Sequence, residues 1–268
     1  MHPRISVSAI STWSWPLEDD LAFYRRAGID QVGVSLRKLD VTGYEQGARL
    51  VRDAGLRVTN LLGLGPFTLA EPGRWPAQQE RLLAALDTAE TIGAECLVLT
   101  TGPAGALPWE DAADALEAAM APVLAEARRR GVPFALEHTH ALRADVGFVH
   151  TLVDAFDLAR RLGIGVCMEI NACWAERGLS ETIGRSVADL RLVQVSDYVI
   201  GTTTTPDRTV PGDGDIPLAR ILGLLEAAGY RGCYDLELIG PRIEAEGYEA
   251  AIPRSVSALT SLLSQVGA

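Results

Sequence analysis

Four polar side chains stand inside runs that are otherwise apolar and strand-like: Glu137 at the end of PFALE, Glu169 in VCMEI, Gln194 in LVQVS and Glu237 in YDLELIG. Burying a carboxylate without a partner costs several kcal/mol. One such residue could pair with an arginine. Three on neighbouring strands repel one another unless a cation lies among them. A divalent metal resolves the repulsion directly, and an all-oxygen donor set suits Mg²⁺ or Mn²⁺ better than Zn²⁺. The plainer alternative is a layer of structural salt bridges.

Other residues could serve the same site. His138 and His140 follow Glu137 and are candidate proton donors; a purely supporting loop role is the competing reading. Arg208, in TTTTPDRTVPGDGD, could grip a carboxylate, phosphate or hydroxyl, or lie solvated in its loop. Trp13 and Trp15 follow the first apolar run and Trp174 follows the sixth. They would form aromatic walls for a sugar or planar ring, or pack in the core. The GDGD stretch is not a nucleotide loop, because no strand–GxGxxG–helix unit surrounds it. No GxSxG elbow is present, which disfavours serine hydrolysis. Lys38 is the only lysine. Schiff-base chemistry needs a lysine amine, so a lysine-dependent aldolase is disfavoured.

The elements that must position these residues alternate with a steady rhythm. Strands are expected at Arg4–Ser8, Asp30–Ser35, Val58–Leu62, Cys96–Thr100, Pro133–Glu137, Ile164–Ile170, Leu192–Ser196 and Gly232–Leu238. Helices are expected at Leu17–Ala27, Thr42–Ala54, Ala77–Ile92, Trp109–Arg130, Phe148–Leu162, Leu179–Leu190, Pro217–Ala228 and Ala245–Leu263, with a Gly/Pro-rich loop after the third strand. Continuous apolar strands separated by helices imply a parallel sheet covered on its outer face. Eight such units in 268 residues match a (β/α)8 TIM barrel formed as a single domain over residues 1–268. An open doubly wound sheet would show a phosphate-binding glycine turn after its first strand; that place reads SAISTWSWP. In a barrel the active site forms at the C-terminal ends of the strands, where the four polar residues fall.

Composition bounds the partners. A hydrophobic fraction of 48% is ample for a large core, and a net charge of −11 offers no basic footprint for nucleic acid. The N-terminus lacks the pattern of a signal peptide, and no apolar run reaches the ~18 residues of a membrane span. Cys96, Cys167, Cys173 and Cys233 show no metal-site spacing and read as reduced core cysteines of a cytoplasmic protein. The expected partner is a small molecule, with no nucleic acid and no membrane; a homo-oligomer stays open.

Together, the order and spacing of these residues resemble the xylose isomerase-like barrel superfamily of sugar phosphate isomerases and epimerases, over essentially the whole chain. Its members place Glu, Asp, His and Glu on strands five to eight around one metal. Glu137 matches the first Glu, Glu169 the Asp of an LDxxH-like segment, Gln194 the His of a VHxxD-like segment with Asp197 three residues on, and Glu237 the last Glu. VPGDGDIP resembles the family's loop before helix seven. The resemblance implies a proton moved at the carbon next to a carbonyl of a keto-sugar or polyol, through an enediolate that the metal stabilises. Glu137 and Glu237 would face each other across the substrate and handle the proton.

The departures bear on chemistry. Glu169 is one methylene longer than Asp, Gln194 offers oxygen where His offers nitrogen, and Ala172, flanked by Asn171 and Cys173, stands where a His is expected. Gln at the strand-seven position also occurs among the superfamily's dehydratases of 3-dehydroshikimate-like or keto-inositol-like substrates. An isomerase or epimerase therefore leads and a lyase follows. A repair endonuclease of the same superfamily would need several more histidines than the four present. A non-catalytic sugar-binding or partner protein is the remaining class.

Overall fold

The computed structural model describes residues 1–268 apart from Pro66, which belongs to the Gly/Pro-rich loop expected after the third strand and lies outside the described residues. Its strands are β1 (Ile5–Ser8), β2 (Gln31–Ser35), β3 (Arg57–Leu62), β4 (Leu97–Thr100), β5 (Phe134–Glu137), β6 (Gly165–Glu169), β7 (Leu190–Val195) and β8 (Cys233–Leu236). Each pairs in parallel with the next and β8 pairs with β1, closing a barrel. This is the expected TIM barrel, and period-two alternation explains its two cores. Side chains such as Val7, Val34, Leu99 and Met168 point outward under the helices. Leu62, Cys96, Val98, Ala135, Cys167, Leu192 and Cys233 fill the interior. All four cysteines are free and buried, three of them supplying small volume to that interior.

Several element boundaries differ from expectation for local reasons. The helix expected at Thr42–Ala54 is preceded by another, Leu36–Thr42, and the two meet at Gly43, whose φ of 87° no ordinary helix continues through. The helix expected from Phe148 begins at Leu152, because the Thr151 side chain caps it by accepting from the Asp154 N–H. The helix expected to Leu190 stops at Ser186, since Leu190 already belongs to β7. Beyond Glu169 the chain turns at once into a short helix, Ile170–Cys173. The last helix is two, Pro241–Glu246 and Tyr248–Val266. Among the described residues no helix is long and apolar enough to cross a membrane.

Lys38 is buried. Its Nζ donates to the Thr12 carbonyl oxygen at 2.9 Å, to Thr12 Oγ1 at 3.0 Å and to the Asp20 carboxylate. The one lysine thus ties the turn after β1, which carries Trp13, to the two helices that flank it.

Candidate functional site

Glu137 ends β5, Glu169 ends β6 and Glu237 stands one residue past β8. Parallel pairing in register brings these strand ends to one face of the barrel, and one oxygen from each of the three carboxylates lies within 4.8 Å of the others. Gln194 pairs in register with Glu169 on one side and Asp235 on the other and is fully buried.

The electrostatics of this cluster are those of a site short of positive charge. Burial, then the Glu169 charge, pushes the Glu137 carboxyl up to about 8, although Arg208 pulls the other way. Glu237 is pushed well above the ordinary carboxylate range by burial and by its two glutamate neighbours. Glu169 Oε2, Glu237 Oε2 and both amide atoms of Gln194 are buried and complete no hydrogen bond among the described residues, although the Gln194 amide lies close enough to Glu137 to favour its charged form. Buried acceptors are normally paired. A divalent cation would supply the partner that these oxygens lack, so the donor set fits one.

One cation of the protein's own reaches the cluster. Arg208 Nη1 lies 2.9 Å from Glu169 Oε1 and 2.8 Å from Ser196 Oγ, while its Nε has no partner among the described residues. Burial lowers the pKa of this guanidinium, but Glu169, Glu237 and Glu137 more than offset the penalty and leave it raised. The loop that carries it is anchored twice. The Arg208 N–H donates to the Ile239 carbonyl oxygen at 3.0 Å. Asp197 receives four backbone N–H groups: Tyr198 at 2.8 Å and Ile216 at 3.0 Å on one oxygen, Gly212 at 2.8 Å and Gly214 at 3.2 Å on the other.

Close approach at Gly240 completes the anchoring. With φ of 133°, a Cβ there would fall 2.7 Å from both Asp207 Cα and the Pro206 oxygen. Gly240→Ala should therefore push the Arg208 loop outward, destabilise the fold by about 2 kcal/mol and raise KM while leaving metal content intact. Melting curves beside elemental analysis check this; an unchanged KM would refute the anchoring.

The histidines divide by position. His140 lines the cavity above the cluster. Its Nδ1 accepts from the Leu142 N–H at 3.2 Å, so Nε2 carries the proton in the neutral ring. Burial, then Arg208 and His150, holds its pKa below the ordinary value. His138 is fully buried behind the site, and its Nε2 accepts from the Glu169 N–H at 3.3 Å. Burial, then His150, lowers it to about 3. His138 is thus not among the residues that line the cavity, and burial favours its neutral ring.

Of the tryptophans, Trp13 lines the cavity. Trp15 instead packs edge-on between Phe23 and Tyr248, at 5.5 and 5.2 Å between ring centres. Trp174 lies beside Tyr198, and neither of these two belongs to the cavity wall. Sequence reasoning passed over Asp235, two residues before Glu237 and so on the same face of β8. It accepts a hydrogen bond from Ser6 Oγ inside the barrel, and burial raises it to about 7. The period-two alternation would have identified it. It also passed over Arg37, Arg81 and Arg143, which line the cavity mouth but sit in helical or turn segments with no distinguishing pattern.

The cavity measures about 420 Å³, within the range of small-molecule sites. Similarity to known proteins agrees with this fold. A protein of Sinorhizobium meliloti shares 27% identity, with 97% of this chain and 98% of that one covered and a TM-score of 0.86. The IOLI protein, solved with a bound zinc atom, shares the fold at 18% identity, coverage of 98% and 99%, and a TM-score of 0.82. L-ribulose 3-epimerase does so at 19% identity, coverage of 98% and 95%, and a TM-score of 0.75. No curated protein matches by sequence. The family profile described as xylose isomerase-like TIM barrel matches residues 21–261, and the chain belongs to that family.

Proposed function

We propose that the protein is a divalent-metal-dependent isomerase or epimerase that moves a proton at the carbon next to the carbonyl of a keto-sugar or related polyol, through an enediolate. The observation that carries this reading is the trio of Glu137, Glu169 and Glu237, one half-buried and two buried carboxylates converging at the C-terminal end of the barrel. Glu137, Glu169, Gln194 and Glu237 would hold the ion. When bound, it supplies a Lewis acid that makes the carbon acid easier to ionise. The oxygen donors suit Mn²⁺ or Mg²⁺; the zinc of the IOLI protein makes Zn²⁺ the comparison to include.

The chain's own residues divide the remaining work. Glu137 and Glu237, both pushed up in pKa by burial and like charge, are suited to take a proton and return it. Arg208 holds Glu169 on one side and lines the cavity, where a guanidinium is suited to a substrate hydroxyl or oxyanion. His140 offers an Nε2–H from the wall. Trp13 supplies an apolar face for a ring.

The test is proton exchange. A keto-sugar panel incubated in D2O with metal-loaded protein should gain deuterium at the carbon next to the carbonyl, with an epimer or isomer appearing by NMR and no water lost. An ultraviolet-absorbing enone in place of exchange would make the protein a lyase of cyclic keto-polyols, with His140 protonating the departing hydroxyl. Neither product with Mn²⁺, Mg²⁺ or Zn²⁺ would sink the enzymatic reading.

A further inference from the structure

Above the glutamates, the cavity is lined by cations that the proposed reaction leaves without a task. Arg37 comes from the helix Leu36–Thr42, Arg81 from the helix Trp75–Ile92 and Arg143 from the short turn after β5. Three separate parts of the barrel thus turn a guanidinium toward one mouth, in a chain whose net charge is −11. On the cavity floor the charges close, because three glutamates are balanced by Arg208 and one divalent ion. At the mouth they do not. Among the described residues Asp40 is the one carboxylate that lines the cavity outside the cluster, and it pairs with Arg81 at 2.7 Å. Arg143 spends Nε and Nη2 on Asp145.

Arg37 is different. Among the described residues no carboxylate pairs with it. Its guanidinium carbon lies 4.2 Å from the centre of the Trp13 ring, and its Nη1 donates to the Trp13 carbonyl oxygen at 3.2 Å. Trp13 is in turn fixed by the bonds of Lys38 to Thr12. The stack sets the plane of the guanidinium and leaves most of its five N–H groups unspent. A charged fork already oriented on an aromatic face loses little freedom when it receives an oxyanion.

We propose that the substrate carries an anionic group, a carboxylate or a phosphate, at the end remote from the reacting carbon, and that Arg37, flanked by Arg81 and Arg143, receives it. This rests on the proposed reaction for what occupies the cavity floor, and it names the substrate class. Arg37 is then a residue that determines specificity. A neutral sugar would meet the same floor but leave the cationic mouth unanswered.

The test uses three probes that share a keto-sugar head: D-fructose, D-fructose 6-phosphate and D-fructuronate. Each is titrated calorimetrically into Mn²⁺-loaded protein and its Arg37→Ala variant. At least one anionic probe should bind about tenfold or more tightly than fructose, and the better of the two distinguishes phosphate from carboxylate. In Arg37→Ala the ratio of anionic to neutral affinity should fall to near one, and added salt should narrow the margin in the parent. No advantage of either anionic probe, whether all three bind alike or none binds, overturns the proposal. So does a margin that survives in both Arg37→Ala and Arg143→Ala. Binding is read independently of turnover. A charge margin without proton exchange sinks the isomerase alone, and exchange on fructose without a margin sinks the anion site alone.

Discussion

If the proposed metal site is right, replacing Glu237 or Glu137 by Gln should lower turnover by about a thousandfold and take divalent metal from the one equivalent expected in the parent to a trace. On the proposed reading each substitution would remove a hard donor and a proton-handling group at once while changing shape very little. Elemental analysis after gel filtration measures the first loss and NMR exchange rates the second. Full metal content with unchanged exchange in either variant would end the assignment of the cluster. Stability should move the opposite way in chelator-treated protein. There the parent confines like charges without a counter-ion, so Glu137→Gln should melt higher than the parent. Glu137 is raised from an ordinary 4.5 to about 8, so folding favours its neutral form. The parent's disadvantage is absent below about 4.5, grows as pH climbs toward 8, then levels off. Adding metal should erase it. A metal-free parent that melts level with Glu137→Gln at pH 8 would contradict the repulsion.

Asp197→Asn should be the most damaging single change outside the carboxylate cluster. The volume is conserved, so no cavity opens. One oxygen that accepts two N–H groups becomes an NH2 facing them, and the charge that strengthens all four bonds is lost. A cost of about 3 kcal/mol follows, or about 5 °C in melting temperature for a chain of this size. Because Asp197 organises the loop bearing Arg208, KM should rise with it. A melting temperature within a degree of the parent would mean that the backbone donors find water instead.

Strand spacing was the most legible property of the chain, since a strand buried on both faces must be apolar throughout and the polar exceptions then mark its end. Glu137, Glu169 and Glu237 stood out for that reason, and the structure brings them together. Gln194 stood out equally and shares their layer. What escaped was whatever depends on direction rather than on type. His138 and His140 are two residues apart, yet one faces the protein and the other the cavity, a difference decided by how the chain leaves β5. Trp15 and Trp174 look like Trp13 in sequence, and packing alone separates them. The arginines at the mouth come from two helices and a turn whose surface pattern is ordinary, so only the closure of the barrel reveals that they converge. The break at Gly43 hid one of those helices, because a glycine between two helical runs reads equally well as the start of one.

Lys38 makes a built-in clock. An amine-directed acylating reagent finds one side-chain amine in the chain, and finds it closed by Asp20 and Thr12. Acylation there requires that the turn after β1 open first, so its rate counts how often the Trp13 wall lets go of the barrel. A substrate that settles against that wall should slow the count, and the mass of a single peptide would record it.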